Sequence, residues 1–244
     1  MVVAVFGDAH AHGDALDAVL LAAVRGGAER LWSLGDMVGR GPDPERVVAR
    51  TRELCAVALM GNHDYAATGS SDPLRFGEPG SPAVRSLELA AERLPADDLA
   101  WMRSRRPAAR RDGVQCWHGG PHNAVREYVG ASNAAACLAT QRAPLGLVGH
   151  THEPAAWLQT PRGARRVPIE PGVPLDVSAG KWILNPGAAG APMPPRGDWW
   201  DGLDALARDG AWFLMLDLER RAGTWLRAPF DPVPARARAV ALGL

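Results

Sequence analysis

The sequence predicts an α/β fold, a four-layer αββα sandwich in which two mixed sheets lie back to back between helices. Two observations carry this. Up to His152, short apolar runs bounded by glycine or polar residues alternate with helix-like stretches, the pattern of a largely parallel sheet covered by helices. After His152 the long helices give way to strand-like runs, which predicts a second, more antiparallel sheet.

The runs Val2 to Phe6, Arg30 to Leu34, Ala56 to Met60, Gly113 to Trp117 and Leu145 to Val148 are short and end in turn signals, so each reads as a buried strand. Between them, Ala15 to Arg25, Pro44 to Leu54, Pro82 to Arg93, Ala96 to Arg103 and Ser132 to Gln141 read as helices. Pro44 suits a first helical turn, where its missing N–H would be unpaired in any case. The second sheet is expected from Ala155 to Gln159, Ala164 to Ile169, Lys181 to Leu184, Ala211 to Leu218 and Gly223 to Pro229. Residues 69 to 81 and 186 to 202, rich in Gly and Pro, read as rim loops. No repeat, low-complexity tract or linker forces a boundary, so residues 1–244 are expected to form one domain.

Lys+Arg and Asp+Glu both total 27, so no bulk charge draws the chain to a nucleic-acid duplex or an anionic membrane, and an anionic substrate must be caught locally. Cys55, Cys116 and Cys137 are widely spaced, odd in number and set in apolar segments; they read as buried free thiols of a reducing compartment. No apolar run is long enough to span a bilayer and no signal-peptide pattern opens the chain, so a cytoplasmic location is expected.

All seven histidines fall within a few residues after a predicted strand. In parallel sheets the carboxyl ends of the strands share one edge, where ligands bind. Five segments therefore converge there: "GDAH" with Asp8 and His10, "LGDMVGRG" with Asp36, "GNHD" with Asn62, His63 and Asp64, "WHGG" with His118, and "GHTH" with His150 and His152. Each alone is a weak signal. Together, imidazole, carboxylate and amide without thiolate favour Mn, Fe, Zn or Co, and the donors are too many for one ion. Two divalent cations use them all if one carboxylate bridges, and Asp36 is the natural bridge.

These five pieces resemble the calcineurin-like metallophosphoesterase superfamily, whose motifs run Asp-x-His, Gly-Asp, Gly-Asn-His-Asp/Glu, His and Gly-His-x-His. The likeness extends over almost the whole chain and is strongest to the bacterial YfcE-like and SapH-like phosphodiesterases, through "GPDPERVV", "HGGPHNAVREYV", "LNPGAAGAP" and "FLMLDLERRAGTWLRAPFD". The resemblance implies the αββα fold and two divalent cations, manganese favoured. It implies that Asp8, His10, Asp36 and His152 hold one cation and Asp36, Asn62, His118 and His150 the other. His63 would act on the scissile phosphate as general acid or charge stabiliser, with Asp64 fixing its tautomer by a hydrogen bond. The reaction implied is attack of a metal-bridging hydroxide on a phosphate ester.

Arg40 stands where similar phosphodiesterases often carry an aromatic residue; a guanidinium there would bind phosphate oxygens, the alternative being a surface pair with Asp43 or Glu45. For His12 two roles stand open, a contact with substrate or an ordered water, and an exposed loop residue. Asp14 falls at a helix start, where its charge suits the dipole. His122 reads as a rim or surface residue, Asn185 as a turn residue, and Trp199 and Trp200 as core aromatics before a base-binding surface.

A phosphodiesterase or nucleotide phosphoesterase acting on a small substrate leads the functional readings. Hydrolysis of dinucleoside polyphosphates such as diadenosine tetraphosphate comes second, favoured by Arg40, and protein phosphatase activity third. A non-catalytic scaffold of the same fold is the remote alternative, disfavoured because His63 and the ligand set are complete. The sequence leaves open the substrate, the native metal pair and whether the chain forms a homodimer.

Overall fold

The protein is described here by a computed structural model, covering residues 1–190 and 208–244. Trp199 and Trp200, with most of the expected loop 186 to 202, lie outside the described residues. The elements run β1 (Val2–Phe6), α1 (Gly13–Arg25), β2 (Arg30–Ser33), α2 (Pro44–Leu54), β3 (Cys55–Ala58), α3 (Asn62–Ala67), a 3-10 turn (Pro73–Phe76), α4 (Pro82–Arg93) and α5 (Ala96–Arg103). They continue with β4 (Ala108–Arg111), β5 (Val114–Trp117), α6 (Ala134–Thr140), β6 (Leu145–Leu147), β7 (Ala155–Thr160), β8 (Gly163–Val167), β9 (Leu175–Asp176), β10 (Trp182–Asn185), β11 (Ala211–Asp217), β12 (Ala222–Ala228) and α7 (Val233–Ala241).

Two mixed six-stranded sheets result, ordered β3-β2-β1-β11-β12-β9 and β4-β5-β6-β10-β7-β8. Strands β1, β2 and β3 are parallel, as are β5, β6 and β10, while the outer partners run antiparallel. The expected division at His152 does not hold. The hairpin β11–β12 returns to pair with β1, and β5 and β6 join β10 and β7 in the other sheet. The physical reason lies in β1 itself: VVAVF is apolar on both faces and needs a neighbour on each side, and β11, nearly as apolar, supplies the second.

Side chains alternate between layers with the strand period of two. Val3 and Val5 face the space between the sheets, with Trp32, Leu34, Cys116, Leu147, Leu184 and Trp225, whereas Ala4 and Phe6 face the helices with Leu16, Val19 and Val47. The outer face of the other sheet buries Trp117, Trp157 and Ile183 against Cys137 and Leu138 of α6. Trp225, fully buried between the sheets, donates its indole N–H to the Asn185 carbonyl at 2.7 Å, so one ring fills the core and ties the sheets together. Three helices open on proline (Pro44, Pro82) or have it in the first turn (Pro234), and Ser81 accepts the Val84 N–H before α4. No helix among the described residues is long and apolar enough to cross a membrane.

Candidate metal centre

Every predicted ligand sits just past the carboxyl end of one of the parallel strands. Asp8 and His10 follow β1, Asp36 follows β2, and Asn62 and His63 open α3 after β3; from the facing sheet His118 follows β5, and His150 and His152 follow β6. Adjacent turns are knitted by backbone hydrogen bonds: Asp8 N–H to Gly35 at 2.9 Å, His10 N–H to Asp36 at 2.9 Å, and Gly149 N–H to His118 at 2.8 Å. Asp8, His10, Asp36, His150 and His152 all adopt left-handed backbone, with φ of 55°, 47°, 53°, 65° and 60°. Such strain in non-glycine residues persists only where the surroundings over-determine it.

The side chains converge in two buried groups. Ligand atoms of Asp8, His10, Asp36 and His152 lie within 4.8 Å of one another, as do those of Asp36, His118 and His150, so Asp36 belongs to both. Asn62 Oδ1 lies 3.0 Å from His118 Nε2, beside the second group. The donor chemistry fits a cation. His118 Nδ1 faces the Leu34 carbonyl at 2.9 Å and His10 Nδ1 faces that of Val38 at 3.3 Å; a carbonyl only accepts, so each ring holds its proton there and turns a lone pair inward at Nε2. Those lone pairs meet other acceptors: His118 Nε2 is 3.5 Å and His10 Nε2 3.6 Å from Asp36 Oδ2, which is buried without a hydrogen-bond partner among the described residues. His10 Nε2 and His152 Nε2 are 3.0 Å apart. Acceptors gathered around an orphaned carboxylate oxygen are what positive charge between them would satisfy.

Burial sets the proton affinities accordingly. It pushes Asp36 up to about 7, and it raises Asp8 well above the carboxylate range with help from the Asp36 charge. Burial lowers His118 to about 4 and His150 to about 3, keeping the imidazoles neutral. A divalent cation reverses the cost on the carboxylates, restoring their charge, and needs the imidazoles as they already are.

Asp64 departs from expectation. Its Oδ1 accepts the N–H groups of Met37 (2.9 Å) and Val38 (3.1 Å), and its Oδ2 that of Gly61 (2.9 Å), so it staples the Asp36 turn to the start of α3 rather than holding the His63 ring. The reason is local: Asp64 is the third residue of α3 and closes a capping interaction on Gly61. His63 is instead wedged edge-on to His10 (centroids 4.5 Å, 77°) and against Phe76 (4.3 Å), with Nδ1 buried without a hydrogen-bond partner among the described residues. A Cβ on Gly39, whose φ is +85°, would strike that nitrogen and stand 3.1 Å from Cγ.

Arg40 donates its backbone N–H to Ser86 Oγ at 2.7 Å, and its guanidinium interacts electrostatically with Asp36 and Asp8. The surface pairing considered for it does not form: Asp43 is taken by Arg238 and Glu45 by Arg93. His12 is buried at the start of α1, which removes the exposed-loop reading, and burial lowers its pKa to about 3. His122 lies at the surface, bonded to Glu127 at 2.8 Å and Thr140 at 2.9 Å. Asn185 makes its turn, accepting the Gly187 N–H, and also braces the His150 loop by donating to the Gly149 carbonyl at 2.9 Å and Thr151 Oγ1 at 3.0 Å. Sequence reading missed Tyr128, stacked on the His150 ring at 4.0 Å, and Phe76 behind His63. The only available signal was an aromatic residue in a polar loop shortly after His118.

Residues 1–198 match the calcineurin-like phosphoesterase superfamily domain. The chain belongs to that superfamily. Among solved structures it is similar to a metallophosphoesterase from Sphaerobacter thermophilus, at 29% identity and a TM-score of 0.82 over 100% of this chain and 95% of that one. A hypothetical protein from Pyrococcus horikoshii OT3 shares the fold at 18% identity and a TM-score of 0.73, over 100% of this chain and 94% of that one. An uncharacterized protein of Methanocaldococcus jannaschii is 35% identical over 83 residues, 34% of this chain and 34% of that relative's length. As a member of that superfamily, the chain carries buried Asp/His clusters consistent with a dinuclear metal site, and the family implies phosphate-ester substrates.

Proposed function

We propose that the protein is a dinuclear-metal phosphoesterase acting on phosphodiesters or nucleotides, with Asp8, His10, Asp36 and His152 holding one cation and Asp36, Asn62, His118 and His150 the other. The observation that carries this reading is the Asp36 Oδ2 atom, buried without a hydrogen bond among the described residues and 3.5 and 3.6 Å from imidazole nitrogens of both groups. When bound, two divalent cations supply the positive charge that binds a phosphate and activates water against it. The chain's own groups do the rest. Asp36 holds the two halves in register, and its Oδ1 accepts the His63 backbone N–H at 2.9 Å, so the ligand and the acid are placed by one carboxylate. His63, neutral in its buried setting, would gain proton affinity beside an anionic phosphate, take up a proton from solvent and deliver it to the departing oxygen. Arg40, in electrostatic reach of Asp36 and Asp8, adds charge to the phosphate side. Manganese is the favoured ion, and the free thiols of Cys55, Cys116 and Cys137 fit a cytoplasmic setting.

The test is a panel of bis-p-nitrophenyl phosphate, p-nitrophenyl phosphate and diadenosine tetraphosphate with manganese, zinc, iron or cobalt added. Turnover of the diester above the others supports the reading; preference for the dinucleoside polyphosphate favours the second reading that Arg40 raised. No turnover with any ion overturns all of them. A His63→Ala variant is expected to keep its metal content and lose about 100- to 10,000-fold in kcat; full activity in that variant overturns the role given to His63.

A further inference from the structure

Among the large exposed hydrophobics of the described residues Tyr128 is the one aromatic, 53% exposed, and it stands at the candidate centre. One face of its ring lies on the His150 imidazole, centroids 4.0 Å apart and planes 29° from parallel. Half-buried beside that imidazole, Tyr128 stands within electrostatic range of Asp36, Asp8 and Arg40. The loop that presents it is locked. Glu127 Oε1 accepts from His122 Nδ1 (2.8 Å), Asn133 Nδ2 (3.1 Å) and Cys137 Sγ (3.2 Å), Gly119 N–H reaches Ala124 at 2.7 Å, and Val129 is buried in the outer core. A loop tied down at the residues on either side of an exposed aromatic holds that aromatic for something outside the fold.

We propose that Tyr128 is a substrate-contacting residue whose solvent-facing ring stacks the nucleobase of a nucleotidyl ester, which makes nucleotide esters the preferred substrate class of the phosphoesterase site. The inference rests on the phosphoesterase reading above. A cation held by His150 would lie in the plane of the imidazole that Tyr128 covers, so the esterified group of a phosphate bound there would pass beside the Tyr128 ring. A planar base gains from such a face; an alkyl or glycerol group gains little. Base–aromatic stacking is sequence-tolerant and strong enough to change binding by about tenfold or more.

The test is calorimetric titration of manganese-loaded protein with adenosine monophosphate and with glycerol phosphate, for wild type, Tyr128→Phe and Tyr128→Leu, with metal content measured in each. Wild type is expected to bind the nucleotide about tenfold more tightly than glycerol phosphate. Tyr128→Phe keeps that ratio, and Tyr128→Leu brings it near one without loss of metal. Equal binding of the two ligands by wild type overturns the proposal, as does a Tyr128→Leu variant that weakens both alike or sheds metal, because Tyr128 then only buttresses His150. A Tyr128→Phe variant as impaired as Tyr128→Leu assigns the contact to the hydroxyl and overturns stacking. Hydrolysis of bis-p-nitrophenyl phosphate by the same samples separates the two readings: turnover without base preference sinks this inference alone, and no turnover with any ion sinks the phosphoesterase reading itself.

Discussion

Replacing Gly61 with alanine puts the geometry of the centre to a direct test. Gly61 has φ of −98° and ψ of −179°, extended backbone that alanine adopts freely, so any effect comes from contact and not from conformation. The new Cβ would overlap Asp36 Oδ1 and lie 2.6 Å from both Asp36 Cγ and Asp36 N. Relief requires the carboxylate or the Gly61 turn to move by about 1 Å, since carbon and oxygen approach no closer than roughly 3 Å without strain. Asp36 stands in both ligand groups and also accepts the His63 N–H, so the displacement reaches both cations and the acid together. Misplacement on this scale costs about 100-fold in rate, while overpacking costs about 1–3 kcal/mol of stability. Gly61→Ala is therefore expected to fold, to melt several degrees lower, to bind less than two equivalents of manganese by elemental analysis, and to lose about 100-fold in kcat/KM on bis-p-nitrophenyl phosphate. A variant with full metal content and activity within about threefold of wild type would refute the placement of Asp36 as the shared ligand.

Two further outcomes follow from contacts around the site. Arg238 of α7 grips Asp43 at 2.7 and 2.8 Å and Asp14 at 2.6 Å, so Arg238→Ala should cost about 1–2 kcal/mol in urea unfolding, the partial exposure of these groups moderating the loss. Burial opposes ionisation of Asp14, but hydrogen bonds from Arg238 and Arg46 outweigh it and hold its folded pKa below 3.8. That contribution is complete above about pH 4 and is lost as the pH falls through the folded pKa, so the gap between wild type and Arg238→Ala should narrow on acidification; a gap that widens at low pH contradicts the assignment. Ala11, buried with φ of +58°, trades a left-handed backbone for a packed methyl. Relief of about 1 kcal/mol in Ala11→Gly roughly offsets about 0.8 kcal/mol of lost burial, so its melting point should match wild type within a few degrees, and a loss above about 2 kcal/mol would show that the methyl dominates.

The convergence of the predicted ligands was legible because its cause is local: each Asp, Asn or His stands within a few residues of a strand end, and parallel strands deliver their ends to one edge. Which strand joins which sheet was not, because β1 and β11 pair although chain order separates them, and β6 and β7 share a sheet although the change of pattern at His152 divides them; only pairing decides. Helix α3 escaped notice because "NHDYAA" is short and has no apolar period, and α7 because "VPARARAVA" starts among prolines. Asp64 was placed at the site by its motif, but its oxygens answer to backbone N–H groups that a sequence does not display. For His12 residue type alone leaves an exposed and a functional role open, and only the folded structure shows it buried. Tyr128 reaches His150 across a gap of 22 residues that no periodicity spans.

The proposed ligands come from both sheets, Asp8, His10, Asp36 and Asn62 from the strand ends of one and His118, His150 and His152 from those of the other. Cations held between them would cross-brace two layers joined by apolar packing and by hydrogen bonds such as that from Trp225 to Asn185, and a native-state ligand at one hundred times its dissociation constant adds about 2.7 kcal/mol to stability. Loss of metal would then shorten the protein's lifetime as well as its activity. Cellular metal supply would set how much of this protein survives proteolysis, and scarcity would remove the empty chains first.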